Sequence, residues 1–243
     1  MYADERSRPF FDLIARIRAD SPEYVVDAGC GTGELTAGLA GRWPKATIEG
    51  FDSSPAMIAK ARELDTRVTF SVSDVMLWHP DRPIDVLVSN AVLQWVPEHR
   101  QLLDRWADLL ADGGTLAFQV PGNFDAPSHT LVRQLCRTTW ADRLGDFDRP
   151  WPVAEPVAYL DQLSAAGCVV DTWETTYVHV LPGEDAVLKW ISGTALRPIL
   201  DRLEEDERTR FKADLAVLLD EAYPRRPYGT AFPFRRIFVV AQK

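Results

Sequence analysis

The run Tyr24-Val25-Val26-Asp27-Ala28-Gly29-Cys30-Gly31-Thr32-Gly33 leads a short apolar segment into three alternating glycines, with helix-forming residues after them. Glycines placed this way let the backbone turn sharply and let a ligand approach the main chain. The surrounding residues narrow the ligand. A dinucleotide fingerprint, G-x-G-x-x-G, needs its third glycine at position 34, which is Glu34; here it comes one residue early, at Gly33. No Lys-Ser/Thr pair follows, so the loop is not a P-loop. Asp27, ahead of the first glycine, repels a pyrophosphate but attracts an ammonium group.

Two more acids follow at comparable places. Asp52 ends the next apolar run, Thr47 to Phe51, where a carboxylate accepts both hydroxyls of a ribose. The alternative is a helix cap, but Ser53 and Ser54 already supply capping oxygens. Asp74, in Ser73-Asp74-Val75, closes a third run; beside its apolar neighbour it suits the exocyclic amine of adenine, with a solvated turn aspartate as the alternative. Three acids at three successive strand ends describe a ligand with an amine, a ribose and an adenine, and no phosphate.

The elements that must position these residues follow from periodicity. Arg6 to Ala19 reads as a helix with Phe10, Leu13, Ile14 and Ile17 on one stripe. Strands are expected at 24–26, 47–51, 68–72, 84–89 and 115–120, with helices at 34–42, after the Ser54-Pro55 cap, and at 98–110. That alternation is an α/β, doubly wound, mostly parallel sheet with helices on both faces. After Pro121 prolines gather at 121, 127, 150, 152 and 156 around a helix expected at 130–144. A helix at 157–166, a strand at 169–180, a helical stretch 182–230 broken at Pro198 and at 224–229, and a last strand at 237–241 complete the chain. The two late strands are expected to pair antiparallel at an edge. One domain, 1–243, is expected, with segments 121–156 and 182–230 as a helical cap from C-terminal insertions.

Composition sets the outer bounds. The 243 residues carry 27 Lys and Arg against 36 Asp and Glu, a net charge of −9, which disfavours nucleic acid and anionic membranes as partners. No run of about 18 apolar residues exists, and MYADERSRPF lacks the apolar stretch of a signal peptide, so a cytoplasmic protein is expected. Cys30, Cys136 and Cys168 form neither a disulfide framework nor a zinc pattern, and His79, His99, His129 and His179 are not at ligand spacing, so no metal is expected. Nothing in the sequence specifies an oligomer.

The segments VVDAGCGTGELT, FDSSPAMI and SDV together resemble the class I, Rossmann-like methyltransferases that use S-adenosyl-L-methionine. The resemblance implies a seven-stranded sheet with six parallel strands and the seventh antiparallel and inserted beside the sixth. It implies a cofactor held by Asp27, Gly29, Gly31, Gly33, Asp52, Asp74 and Val75, with the nucleoside on Ser53 and Met57, and S-adenosyl-L-homocysteine as product. The stretches ERSRPFFDLIARI, SNAVLQWVPEH, AAGCVVDTWETTYVH, GTALRP and RRIFVVA extend it over nearly the whole chain and are similar to trans-aconitate 2-methyltransferases; TTYVH and TALRP are the more specific pieces, while NAVLQWV is shared with malonyl-carrier-protein methyltransferases. That family carries more residues ahead of ERSRPF, a segment that often helps to cover the cofactor; the expectation is a shortened lid or a misassigned start.

The implied reaction forms the monomethyl ester of a small polycarboxylate. A carboxylate is ionised at neutral pH, so alignment and exclusion of water suffice and no catalytic general base is expected. The acceptor must instead be held by cations. Arg197 in TALRP and the pair Arg235-Arg236 before the last strand are the candidates; Arg202, Arg208 and Arg210 lie among acids on a solvated face. Tyr177 shares a strand face with Thr175 and His179 and is a candidate donor, with sheet packing as the alternative. In this fold the loop after the fourth strand borders the transferring methyl, which makes Asn90 and Gln94 cofactor candidates and Trp95 a substrate contact or core residue. His99 reads as a neutral helix-end histidine, and Trp140, Trp151, Trp173 and Trp190 as cap core rather than a stacking surface. The rival readings are a carboxyl methyltransferase for malonyl-acyl carrier protein, a cofactor-binding protein without transfer, and a nicotinamide dehydrogenase, the last disfavoured by Glu34 and Asp27.

Overall fold

The computed structural model describes residues 3–147, 153–193 and 195–243, with side chains from Ser7 onward. Trp151, Thr194 and the prolines at 150 and 152 lie outside the described residues. The first five strands are β1 (Tyr24–Ala28), β2 (Thr47–Asp52), β3 (Thr69–Val72), β4 (Ile84–Asn90) and β5 (Leu110–Pro121). Between and before them run α1 (Ala3–Ile14), α2 (Glu34–Arg42), α3 (Pro55–Ala61) and α4 (His99–Asp108). The remainder is α5 (Pro127–Arg137), α6 (Ala141–Leu144), α7 (Pro156–Ala165), β6 (Val169–Leu181), α8 (Ala186–Ser192), α9 (Arg197–Leu200), α10 (Glu205–Ala222) and β7 (Thr230–Gln242).

The sheet order is β3-β2-β1-β4-β5-β7-β6, with parallel pairing from β3 to β5 and β7 antiparallel to β5. The two late strands are neighbours at one edge of the sheet as expected, with β7 inserted between β5 and the edge strand β6. All five residues of β1 are buried, as a strand covered on both faces requires. The order reverses between β1 and β4. In open α/β sheets ligands bind outside the carboxyl ends of the strands at this switch point, which is where the glycine loop and the Asn90 turn leave the sheet.

The chain divides into two compact units. The first comprises residues 1–121, 152–175 and 236–243. Its core joins Phe51, Leu87, Trp106, Phe118 and Tyr159, and Trp78 stacks on Phe51 at 4.6 Å. The α1 stripe is buried as expected, with Phe10, Leu13, Ile14 and Ile17 all inside, although the helix ends at Ile14. Trp173 belongs to this unit, stacked between Phe238 and the Arg16 guanidinium.

The second unit comprises residues 122–151 and 176–235. Here α10 packs against α5 and α8. Trp140 meets Phe211 edge-on and donates through Nε1 to Asp214 at 2.8 Å. Trp190, Phe232, Phe234 and His179 form an aromatic cluster. Two expectations are corrected in this unit. The helix 130–144 is two helices, since the chain turns at Thr138-Thr139-Trp140 and the Thr138 hydroxyl bonds back to the Gln134 carbonyl. Pro198 does not break a helix but lies in the first turn of α9, where its missing N–H is harmless. In addition, β7 starts at Thr230, seven residues earlier than its apolar core suggests.

Candidate functional site

The glycine loop is built by its backbone. Gly29, Gly31 and Gly33 all have positive φ, at 81°, 57° and 81°. The N–H groups of Gly29 and Cys30 both donate to the Phe51 carbonyl, which ties the loop to the end of β2. A Cβ on Gly29 would stand 2.2 Å from Val92, and one on Gly33 would stand 2.7 Å from Phe70; one on Gly31 would meet nothing within 4 Å. The outer glycines are therefore steric requirements of the fold, while Gly31 borders open space.

Asp52 locks the loop further. One carboxylate oxygen accepts from Gly31 N–H at 3.0 Å and the other from Ser54 N–H at 2.9 Å. Each oxygen keeps a lone pair, so a diol can still be accepted. Ser54 is the cap of α3 and accepts from Met57 N–H, so Asp52 is not needed there; Ser53 and Met57 are exposed beside it. Asp74 is exposed and accepts from Met76 N–H at 2.8 Å, forming the turn that its alternative reading described. Val75 is half-buried against the core.

Asp27 is 2% exposed. One oxygen accepts from the Thr36 hydroxyl at 2.6 Å; the other has no hydrogen-bond partner among the described residues. Burial pushes its pKa up to about 6, the charge of Asp52 adds to the rise, and the Thr36 bond opposes it. A buried carboxylate oxygen without a donor fits a cationic group on a ligand, and the open side of Gly31 fits close approach of that ligand to the main chain. The residues present thus suit an amine-bearing nucleoside.

At the end of β4 the backbone is strained. Ala91 has φ 57°, uncommon for a residue with a Cβ. Its N–H donates to the Gln119 carbonyl, and its carbonyl accepts from the Gln94 side chain, which is buried. Trp95 ends a single 3-10 turn, Leu93–Trp95, and is 42% exposed, which removes its core reading. Next to this turn Asn90 accepts from Gln119 Nε2 at 2.6 Å, and Gln119 accepts in turn from Arg236 at 3.2 Å. Gln119 is 1% and Arg236 9% exposed. A cation so deeply buried at the carboxyl edge is costly unless it serves an anion or a tight polar network.

The remaining candidates belong to the second unit. Arg235 donates to the Gly122 carbonyl at 3.1 Å, Tyr177 is buried in the sheet beside His179, and Arg197 is exposed at the start of α9. His99, in the first unit, is fully buried: Nδ1 faces the Val96 carbonyl and Nε2 the Tyr159 hydroxyl at 2.9 Å, and burial lowers its pKa. No group of three metal-ligating side chains occurs among the described residues.

Three contributors were not singled out from sequence. Gln119 looks like an ordinary strand residue, and its role appears only once β4, β5 and β7 are adjacent. Arg105 donates to the carbonyls of Val75 and Met76 at 2.7 and 2.6 Å, fixing the Asp74 turn from α4. Thr36 carried a signal: a hydroxyl one turn into α2, facing back to an acid nine residues earlier.

Residues 2–170 match the family model described as a methyltransferase domain. The trans-aconitate 2-methyltransferase of Rhodococcus jostii (strain RHA1) is 56% identical, over 99% of this chain and 96% of that protein. The enzyme of the same name from Mycobacterium sp. (strain KMS) is 55% identical over 99% and 96%. Among solved structures, the YcgJ protein of Bacillus subtilis has the same fold, with a TM-score of 0.64 at 14% identity, over 97% of this chain and 98% of that one.

Proposed function

This chain belongs to the methyltransferase family, among the trans-aconitate 2-methyltransferases, and from that premise we propose that it is an S-adenosyl-L-methionine-dependent carboxyl O-methyltransferase whose acceptor is trans-aconitate. The observation that carries the acceptor class is Arg236, nine-tenths buried at the carboxyl edge of the sheet and joined through Gln119 to Asn90. Asp27, the Gly31 backbone, Asp52, Asp74 and the exposed faces of Ser53 and Met57 would hold the cofactor. Bound S-adenosyl-L-methionine would supply an electrophilic methyl group on its sulfonium for ester formation at a carboxylate oxygen, with S-adenosyl-L-homocysteine as the product.

The protein's own work is to bind, orient and exclude water. No proton has to be removed from an ionised acceptor, and His99 has both nitrogens engaged inside the core, so it supplies none. A small acceptor rather than an acidic carrier protein is supported by the exposed arginines of the second unit: Arg202, Arg208 and Arg210 pair with Asp146, Glu205 and Asp206. A net charge of −9 likewise disfavours nucleic acid. No described helix is long and apolar enough to cross a membrane, and all three cysteines are free thiols, which supports a reducing, cytoplasmic setting.

The test is a methyl-transfer screen with labelled cofactor against small di- and tricarboxylates. Trans-aconitate is expected to be the best acceptor, and Arg236→Leu to lower its kcat/KM more than about tenfold, since removing one partner of a buried charge pair costs roughly 2–5 kcal/mol. Arg236→Lys should recover only part of the loss because the planar fork is gone. Transfer to none of the carboxylates would reject the acceptor class.

A further inference from the structure

Gln119 lies between two groups that need different things from it. A guanidinium has donors only, so the Gln119 amide oxygen must face Arg236, and its NH2 must then face Asn90. That in turn fixes Asn90: its Oδ1 is turned toward Gln119, and its NH2 is turned away. The Asn90 NH2 makes no hydrogen bond among the described residues, and Asn90 is half-buried at the strained Ala91 turn, beside the residue, Val92, that packs on Gly29. The sheet register sets this up. Asn90 pairs with Gln119 across β4 and β5, while Pro121 pairs with Arg236 across β5 and β7, two residues further along the same face.

We propose that Gln119 is a positioning residue that sets acceptor specificity, by forcing Asn90 to present its NH2, a donor, to a carboxylate of the acceptor. The inference rests on the carboxylate reading above and deepens it: it moves Asn90 from the cofactor to the acceptor and gives a buried, non-contacting glutamine control over which end of the Asn90 amide faces the ligand. An acceptor that approaches with a carboxylate meets a donor; one that approaches with a hydroxyl or amine hydrogen meets no acceptor there.

The two obvious substitutions separate orientation from packing. In Gln119→Glu the side chain is nearly isosteric and still accepts from Arg236, but its second oxygen now needs a donor. Asn90 must turn its NH2 inward and present Oδ1 to the acceptor carboxylate. In Gln119→Leu both bonds are lost, but Asn90 can still turn either way. The orientation role therefore makes Glu the worse variant: the KM for trans-aconitate should rise more than about tenfold in Gln119→Glu, as loss of a hydrogen bond to a charged group implies, and by less in Gln119→Leu. The dissociation constant for S-adenosyl-L-homocysteine should stay within about twofold in both. A merely structural role gives the reverse order, with Leu worse in both KM and melting temperature, and would overturn the proposal. So would weakened cofactor binding with an unchanged acceptor KM, which would put the Asn90 NH2 on the cofactor. If Gln119→Glu does not fold, Asn90→Asp takes its place: one oxygen still accepts from Gln119 and the other faces the acceptor, so the same KM rise is expected and its absence counts against the proposal. Wild-type protein that methylates no carboxylate would instead reject the function, whatever the variants do.

Discussion

Asp27 is the residue whose environment departs furthest from that of a surface carboxylate. Buried, and with one oxygen lacking a donor, its pKa is raised from 3.8 to about 6. In the protein without ligand this acid binds a proton more readily when folded than when unfolded. Its contribution to stability is therefore present below the unfolded pKa and is lost as pH rises from about 4 to about 6, at roughly 1.4 kcal/mol for each tenfold difference in proton affinity between the two states. Ligand binding has the opposite sign, because an ammonium group needs the ionised form. Asp27→Asn should thus gain in melting temperature relative to the wild type between pH 4 and 7. The wild-type affinity for S-adenosyl-L-homocysteine, followed by calorimetry, should weaken as pH falls below about 6. In Asp27→Asn the affinity should be low and flat across that range. A wild-type affinity that is flat from pH 5 to 7 would mean that no cation sits against this carboxylate.

The elements show what a loop costs and why. Gly29 and Gly31 both have left-handed backbones, but only Gly29 has a neighbour where its Cβ would be. Gly29→Ala should lose stability twice, by about 1–2 kcal/mol for the backbone and roughly 1–3 kcal/mol for overpacking against Val92. Gly31→Ala should lose only the first of these in denaturant melts, yet bind the cofactor poorly, because its methyl group fills the ligand's side. Equal stability losses would contradict the geometry. This loop was legible from spacing alone, as were α2 and the strand ends carrying Asp52 and Asp74, since each is fixed by local sequence. The α5–α6 break was not, because a run of Thr138, Thr139 and Trp140 only weakly disfavours helix, and the contact of Trp140 with Phe211 that accompanies the turn is a tertiary one. The early start of β7 was hidden by Pro233, which reads as a breaker although Phe232 and Phe234 alternate correctly around it. The Asn90–Gln119–Arg236 chain was invisible for a different reason. Its members lie 29 and 117 residues apart and only the strand order brings them together. Sequence offered Arg236 and Asn90 singly, and assigned them to different ligands.

At the scale of the whole molecule the net charge of −9 acts on two small molecules of opposite sign. Trans-aconitate carries three carboxylates and is repelled at long range. S-adenosyl-L-methionine, with an ammonium, a sulfonium and one carboxylate, is a net cation and is attracted. Mobile ions screen both effects, and the screening length falls from about 30 Å at 0.01 M salt to about 8 Å at 0.15 M. The proposed contact between the buried Arg236 and an acceptor carboxylate would be screened much less, because it would be desolvated. The two substrates should therefore respond to salt in opposite directions over this range: kcat/KM for trans-aconitate should rise as its repulsion is damped, while kcat/KM for S-adenosyl-L-methionine should fall. S-adenosyl-L-homocysteine, which has no sulfonium and no net charge, should bind almost independently of salt and so controls for effects on the fold. Initial rates at saturating levels of one substrate and limiting levels of the other, across a salt series, give both slopes. Reversed slopes, with kcat/KM for trans-aconitate falling and that for S-adenosyl-L-methionine rising, would mean that encounter is governed by local fields near the site, with the basic side chains there outweighing the acidic whole.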